Sequence, residues 1–441
     1  MNATHWSFIL SWSRVGLNAL LFLAATRVLT LTEIGLFATA FAPVRLVQTL
    51  QRSAVCDAVV MVAHRPRRWP ALFVLSCGVG AGFMAIFALI GAVLSPILFA
   101  LSVIPIFAGL GAVPEGILRY RMAIKALALR TVAAQSIAAV LALWLLWQGA
   151  GLWALVAFAV TSSAFNNTLA LVLARWWPMH LPRWRAIRII LPKTAHLMGR
   201  TGLLTAQLPL AQLAIGLTLG PAAAGAFQIA TRMLELIEAV TLSPLRYIAL
   251  PRLKRAGSLH QAIRVEARKA TLLGAWIWGG TIAAAQPILT LAVGADHAPA
   301  AAPILQALAP IGLFSAILMP VTQAVTATGG TRLLLGRAAL TLSLSVLFLI
   351  PVLALSPIAC AIAISTASVT ATLWFTRRAL PKLNLTLSDA APLIPPLGAA
   401  AVMCATLLSL PPLGLVPEIL FGTALYALLL TLTIPTKRSL A

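Results

Sequence analysis

Fourteen apolar runs, each long enough to cross a bilayer, leave this chain few ways to fold. They fall at about 7–29, 34–63, 70–95, 97–118, 127–148, 151–174, 197–219, 222–249, 270–292, 300–328, 334–355, 357–376, 390–410 and 413–434. A spanning helix needs about 20 apolar residues. In hydrocarbon each backbone polar group must be satisfied internally, which makes runs of this length helices. Of the 441 residues, 61% are hydrophobic and 9% charged, against about 25% charged in a soluble domain. The expected fold class is an all-α polytopic membrane protein with about 14 transmembrane helices. The first run carries Arg14 and no small-residue cleavage site follows it, so it reads as a retained helix and not a signal peptide.

The basic residues fix an orientation. The net charge is +23, with 32 Lys and Arg against 9 Asp and Glu. In a soluble chain that excess would suggest nucleic acid. Here all but five basic residues fall in alternate connections, after the second, fourth, sixth, eighth, tenth and twelfth runs and in the tail. The positive-inside rule accounts for this, with both termini cytoplasmic and no nucleic-acid partner. The five that remain are Arg14, Arg27, Arg45, Arg52 and Arg232.

An internal repeat divides the chain. Gly35-Leu36-Phe37 in the second run matches Gly225-Ala226-Phe227 in the eighth, and Pro114 in the fourth matches Pro320 in the tenth. Runs 1–6 then map onto runs 7–12 in parallel, as two pseudo-symmetric six-helix bundles. The expected organisation is a bundle over 1–174, a basic cytoplasmic linker over 175–196 and a second bundle over 197–376. Two extra helices and a basic tail follow over 377–441. The segment 175–193 mixes Trp and Ile with Arg and reads either as an amphipathic stretch on the inner leaflet or as a plain linker. Pro43, Pro114, Pro209, Pro244, Pro287, Pro310 and Pro320 are expected to interrupt or kink spans.

Polar residues inside the runs are the candidates for chemistry. Arg14 lies about 12 Å into its helix, at 1.5 Å per residue, on one face with Ser7, Ser11 and Asn18. Arg45, Gln48 and Arg52 share a face of the second run, and Gln228, Arg232 and Glu235 a face of the eighth, with Glu238 a turn later. A charge at bilayer depth costs about 2.5 kcal/mol or more and usually faces a bundle interior or wet cavity. Arginine stays charged there, and its planar fork suits phosphate oxygens. Arg14, Arg45, Arg52 and Arg232 are therefore candidates to grip an anion, with Asn18, Gln48 and Gln228 as polar cavity residues. The alternative is interhelical pairing of Arg14, Arg45 or Arg52 with Glu235, Glu238 or Asp57. The membrane-level acids are Asp57, Glu115, Glu235, Glu238 and Glu418. Glu235, Glu238 and Asp57 are the candidates to couple a proton or Na⁺.

Soluble catalytic motifs are missing: there is no P-loop, HExxH or GxSxG. The four cysteines sit in apolar runs without a CxxC pair, and the six histidines form no cluster. No catalytic residue, metal site or cofactor is expected beyond a coupling ion.

Several stretches resemble one family. TRVLTLTEIGLFATAFAPVRLVQTL, GAGLWALVAF at 149–158, LTLGPAAAGAFQIATRMLEL at 217–236, ALPRLKR at 249–255 and PILQALAPIGLFSAIL after Gly294 are similar, in order and spacing, to segments of Wzx-type oligosaccharide flippases. These are polysaccharide exporters of the multidrug/oligosaccharidyl-lipid/polysaccharide superfamily. Leu31-Thr32-Glu33 departs from the family's usual Pro-Glu turn, and Phe227 stands where a Tyr is usual. The resemblance covers most of residues 1–380. It implies a two-lobed transporter of the bacterial inner membrane that moves undecaprenyl-pyrophosphate-linked oligosaccharide by alternating access. Related peptidoglycan-precursor flippases use arginines on helices 1, 2 and 8, which carries that role to Arg14, Arg45 or Arg52, and Arg232. The partners implied are the lipid-linked oligosaccharide, membrane lipids, and a polysaccharide polymerase with its chain-length regulator. A cation-coupled multidrug exporter of the same superfamily is the first alternative. A membrane polymerase or ligase is the second, and the short outer loops weigh against it.

Overall fold

The computed structural model describes residues 16, 19–62, 66–178, 182, 184–255, 258–328, 330–410 and 414–433. Arg14 and Asn18, with Ser7 and Ser11, lie outside them. The described chain is helical almost throughout. Helical turns over 19–26 (α1) are followed by α2 (Leu31–Met61), α3 (Trp69–Leu94), α4 (Pro96–Leu101), α5 (Ile104–Tyr120), α6 (Ile124–Trp147), α7 (Trp153–Ala174), α8 (Trp184–Thr205) and α9 (Gln207–Thr218). Then come α10 (Pro221–Arg255), α11 (Leu259–Ala283), α12 (Ala285–Val293), α13 (Ala298–Ala327), α14 (Thr331–Val352), α15 (Pro357–Ala379), α16 (Ile394–Ser409) and α17 (Leu415–Thr433). Among the described residues nine helices are long and apolar enough to cross a membrane, or ten with α11 and α12 taken as one span. The helices α2 and α10, which carry the polar stripes, fall outside that group.

Each expected run from the second to the fourteenth is helical, but three of them are broken. The fourth is α4 and α5, the seventh is the end of α8 with α9, and the ninth is α11 and α12, bent by 77°. Each break is followed by a proline in the first turn of the next helix: Pro105, Pro209 and Pro287. Proline has no N–H to bond the preceding turn, and it is tolerated where that N–H has no intrahelical partner anyway. Pro43, Pro114, Pro310 and Pro320 interrupt nothing: their helices continue through them.

By contacts the chain falls into two units, Met1–Gly225 and Ala226–Ala441. In the first, α5 lies between α2, α3 and α7, while α8 and α9 pack along α2. Small residues let α5 approach. A Cβ on Gly111 would collide with Asn167 of α7, and one on Gly116 would come within 2.8 Å of Val59 Cβ of α2. The short turn into α2 is set by its cap. Thr30 Oγ1 accepts from the Glu33 N–H, and Glu33 Oε2 accepts from the Thr30 N–H at 2.9 Å. The two glycines equated by the repeat meet here. A Cβ on Gly35 would collide with the Pro221 carbonyl, and one on Gly225 with the Leu31 carbonyl.

The segment after α7 is bound to this unit on one side. Trp176 stands edge-on to Phe73, centroids 5.8 Å apart, and Ile190 and Leu197 are buried with Trp69, Leu72 and Val59. Trp177, Trp184, Ile189 and Leu191 face outward. Helix α8 starts at Trp184, well before the seventh run, because its basic and apolar residues give it two faces.

In the second unit α13 packs on α11 and α15, and α14 on α15. Leu253, Ile263, Val321, Val325 and Phe375 form one cluster. The extra helices α16 and α17 lie on α11 through Ala275, Ala399, Ala400, Met403 and Tyr426.

Candidate functional site

In α2 the stripe of Arg45, Gln48 and Arg52 is half-buried, while Val44, Val47, Gln51, Ala54 and Val55 face the core. Gln48 Nε2 donates to Ser163 Oγ of α7 at 3.2 Å, and Asn167 one turn on donates to the Ser163 carbonyl at 2.7 Å. Arg52 is held at its far end. Its Nε and Nη2 donate to Glu115 Oε2 and Oε1 of α5 at 2.7 and 2.9 Å, the forked geometry that arginine and carboxylate favour. The sequence alternatives offered Asp57, Glu235 or Glu238 as its partner. Asp57 is instead exposed, one turn from the end of α2.

Two more arginines converge on the same carboxylate. Arg119 Nη2 donates to Glu115 Oε1 at 2.6 Å, across one turn of α5, and Arg130 Nη2 of α6 donates to Oε2 at 3.0 Å. The Glu115 side chain is 1% exposed, as is that of Arg130; Arg52 is 30% and Arg119 43% exposed. Glu115 thus accepts four hydrogen bonds, about the full capacity of a carboxylate. Arg130 Nε and Nη1 are buried without a hydrogen-bond partner among the described residues. The sequence reading assigned Arg119 and Arg130 to the basic connection after the fourth run. Arg130 lies inside the fifth run and Arg119 stands four residues after Glu115, and those two spacings were the available signals.

In the second unit Arg232 Nη1 donates to Glu235 Oε2 at 2.9 Å within α10. Glu238 accepts from Ser315 Oγ of α13 at 3.3 Å, and Gln228 is half-buried. The candidate set is therefore present on α2 and α10, as two stripes on two units. In each stripe at least one arginine is already bonded to a carboxylate.

These arrangements sit on a polytopic, all-α membrane-transporter fold that solved structures share. The lipid II flippase MurJ in an inward closed conformation matches at a TM-score of 0.81, with 13% identity over 97% of this chain and 98% of that one. A transporter of the MOP superfamily from Pyrococcus furiosus, described as having a binding pocket of reverse polarity, matches at 0.58, with 14% identity over 88% and 98%. An outward-facing multidrug resistance MATE transporter of that superfamily matches at 0.56, with 14% identity over 87% and 96%. No curated protein sequence matches. Residues 24–302 match the family of polysaccharide biosynthesis proteins, and the chain belongs to that family.

Proposed function

We propose that this protein is a flippase that carries a lipid-linked oligosaccharide across the membrane by alternating access. The observation that carries the reading is the half-buried Arg45–Gln48–Arg52 stripe on α2 of a polysaccharide biosynthesis protein. Arginine keeps its charge in a poorly hydrated site and can hold a pyrophosphate by two parallel hydrogen bonds. Arg14, Arg45, Arg52 and Arg232 grip the pyrophosphate. Asn18, Gln48 and Gln228 meet polar groups beside it, and the lipid tail stays in the bilayer. The resemblance to Wzx-type exporters supports undecaprenyl-pyrophosphate as the carrier and the bacterial inner membrane as the site, with both termini cytoplasmic. Glu235, Glu238 or Asp57 takes up a coupling proton or Na⁺. A polymerase and a chain-length regulator act downstream of the product.

The test is the double variant Arg14→Ala, Arg45→Ala, expressed where surface polysaccharide depends on this chain. Export is expected to be abolished while the protein remains inserted at wild-type level; unchanged export overturns the anion grip. A multidrug exporter is the second reading, supported by the fold shared with the MATE transporter and by Glu235 and Glu238. Dye efflux in the same cells separates the two: the flippase reading expects none that depends on this chain.

A further inference from the structure

We infer that Arg52, Arg119 and Arg130 form a second site for a phosphate-class anion, sharing Arg52 with the α2 stripe, in which the Glu115 carboxylate is the resident counter-anion. Three guanidinium groups from α2, α5 and α6 converge on one carboxylate, so the four groups carry an excess of two positive charges. Glu115 cannot offset more than it does, because its four hydrogen bonds fill its acceptor sites. The buried donors left over are Arg130 Nε and Nη1, both unpartnered among the described residues. Buried polar groups are nearly always hydrogen-bonded, so two such donors on one charged side chain point to a ligand. A phosphate group brings about −1.5 to −2 charges and three acceptor oxygens. That matches the excess charge and the spare donors together.

Among the described residues the arginines of the cage with exposed surface are Arg52 and Arg119. Arg130 is closed off, whereas Arg52 is 30% and Arg119 43% exposed, at the end of α5 where Arg121 follows. An anion arriving there meets Arg119 and Arg52 first. It then displaces the Glu115 carboxylate from them and reaches the spare Nε and Nη1 of Arg130, while Arg130 Nη2 keeps its bond to Glu115. Arg52 belongs to both the stripe and the cage and lies seven residues, about 10 Å along α2, from Arg45, which makes the cage a second station at one end of the stripe. That the anion is the pyrophosphate of a lipid-linked substrate rests on the flippase reading; the anion site itself does not. A lipid headgroup presents the same phosphate chemistry.

The alternative is a purely structural knot that ties α2, α5 and α6 together, and rescue by an anion separates the two. The full-length chain is reconstituted in phosphatidylcholine nanodiscs and its Tm followed against sodium pyrophosphate at constant ionic strength. Glu115→Gln is expected to melt below wild type in chloride and to be restored by pyrophosphate, with an apparent Kd about tenfold tighter than wild type. One charge-assisted hydrogen bond is worth about that factor. Arg119→Gln is expected to bind about tenfold more weakly than wild type, and it carries the test if Glu115→Gln does not fold. A second arm replaces part of the phosphatidylcholine by phosphatidylglycerol. Stabilisation of Glu115→Gln by that lipid without added pyrophosphate assigns the site to headgroups, and stabilisation by pyrophosphate alone assigns it to a soluble or substrate phosphate. Either result supports the site. A Glu115→Gln protein that neither anion stabilises, with Arg119→Gln responding as wild type does, overturns it. Loss of export in the Arg14, Arg45 double variant is read separately, so the cage can fail while the flippase reading stands, and the reverse.

Discussion

Glu115 shows how much one residue can be asked to hold. Removing one partner from a buried ion pair costs about 3–5 kcal/mol, because the other charge is left without compensation. Arg130, at 1% exposure, meets that condition; Arg119, at 43%, has water to turn to. Four ionised groups persist at this depth because every oxygen of the carboxylate is bonded. A second polar knot has a different character. Asp389 lies outside the spanning helices, where Oδ2 accepts from the Thr386 N–H at 2.8 Å and meets His260 Nε2 at 3.1 Å, and Oδ1 faces Arg264 Nε at 3.4 Å. The Thr386 N–H bond, with His260 beside it, holds the carboxyl down to about 2, below its ordinary 3.8. A depressed carboxylate stabilises the fold above its unfolded value and loses that effect as it protonates. The attachment of Leu387–Leu393 to the start of α11 is therefore expected to hold from pH 7 to about 4 and to loosen between about 4 and 2. Hydrogen exchange of that segment, read after pepsin digestion, checks it. In Asp389→Asn the exchange should be faster at pH 7 and nearly flat below pH 4.

At the scale of the element, small residues decide which helices can touch. The Gly35 and Gly225 positions allow the backbones of α2 and the first turn of α10 to meet with no side chain between them. Gly35→Val places a branched side chain against the Pro221 carbonyl. The expected loss is at least about 1–3 kcal/mol, as for overpacking elsewhere, seen as a lower Tm in detergent and reduced protein in the membrane. Gly82→Val on α3 is the control, since the Gly82 Cβ position meets no neighbouring atom and the residue is exposed. Apolar periodicity and length were enough to locate thirteen helical runs, nine or ten of which are long and apolar enough to cross a membrane among the described residues, and the Gly35–Gly225 match was visible as a repeat. What stayed hidden were facts of three-dimensional meeting. Arg130 could be read as an inner-loop charge because positive-inside counting does not distinguish a residue at a helix start from one buried a turn further on. The break at Pro105 was hidden by continuous apolarity, whereas those at Pro209 and Pro287 fall at prolines expected to interrupt or kink their runs. Pro43 and Pro114 look the same in sequence, yet their helices run on.

For the whole molecule the peripheral pair α16 and α17 offers a test of what the transport cycle needs. These helices touch α11 and the short segment before α16, and each other. Tyr426 Oη donates to the Leu272 carbonyl at 2.9 Å, and Trp276 Nε1 donates to Thr423 Oγ1 at 3.2 Å. Small-residue packing of Ala275, Gly279, Ala399 and Ala400 against Met403 adds to these, with Leu397, Leu407 and Leu425 beside it. In lipid such contacts lack the hydrophobic drive they would have in water, and each interhelical hydrogen bond is worth about 0.6 kcal/mol. A chain ended after residue 393 replaces α16 and α17 with lipid tails on the same face of α11. It is expected to insert, to melt a few degrees lower, and to export polysaccharide at close to the wild-type level. The stripes on α2 and α10 and the cage around Glu115 all lie outside the deleted part. Export is measured per inserted molecule, so that reduced abundance is not read as reduced transport. An inserted truncation without export would place α16 and α17 in the cycle itself. The resident polar contacts of α11, Tyr426 above all, would then be the first positions to vary.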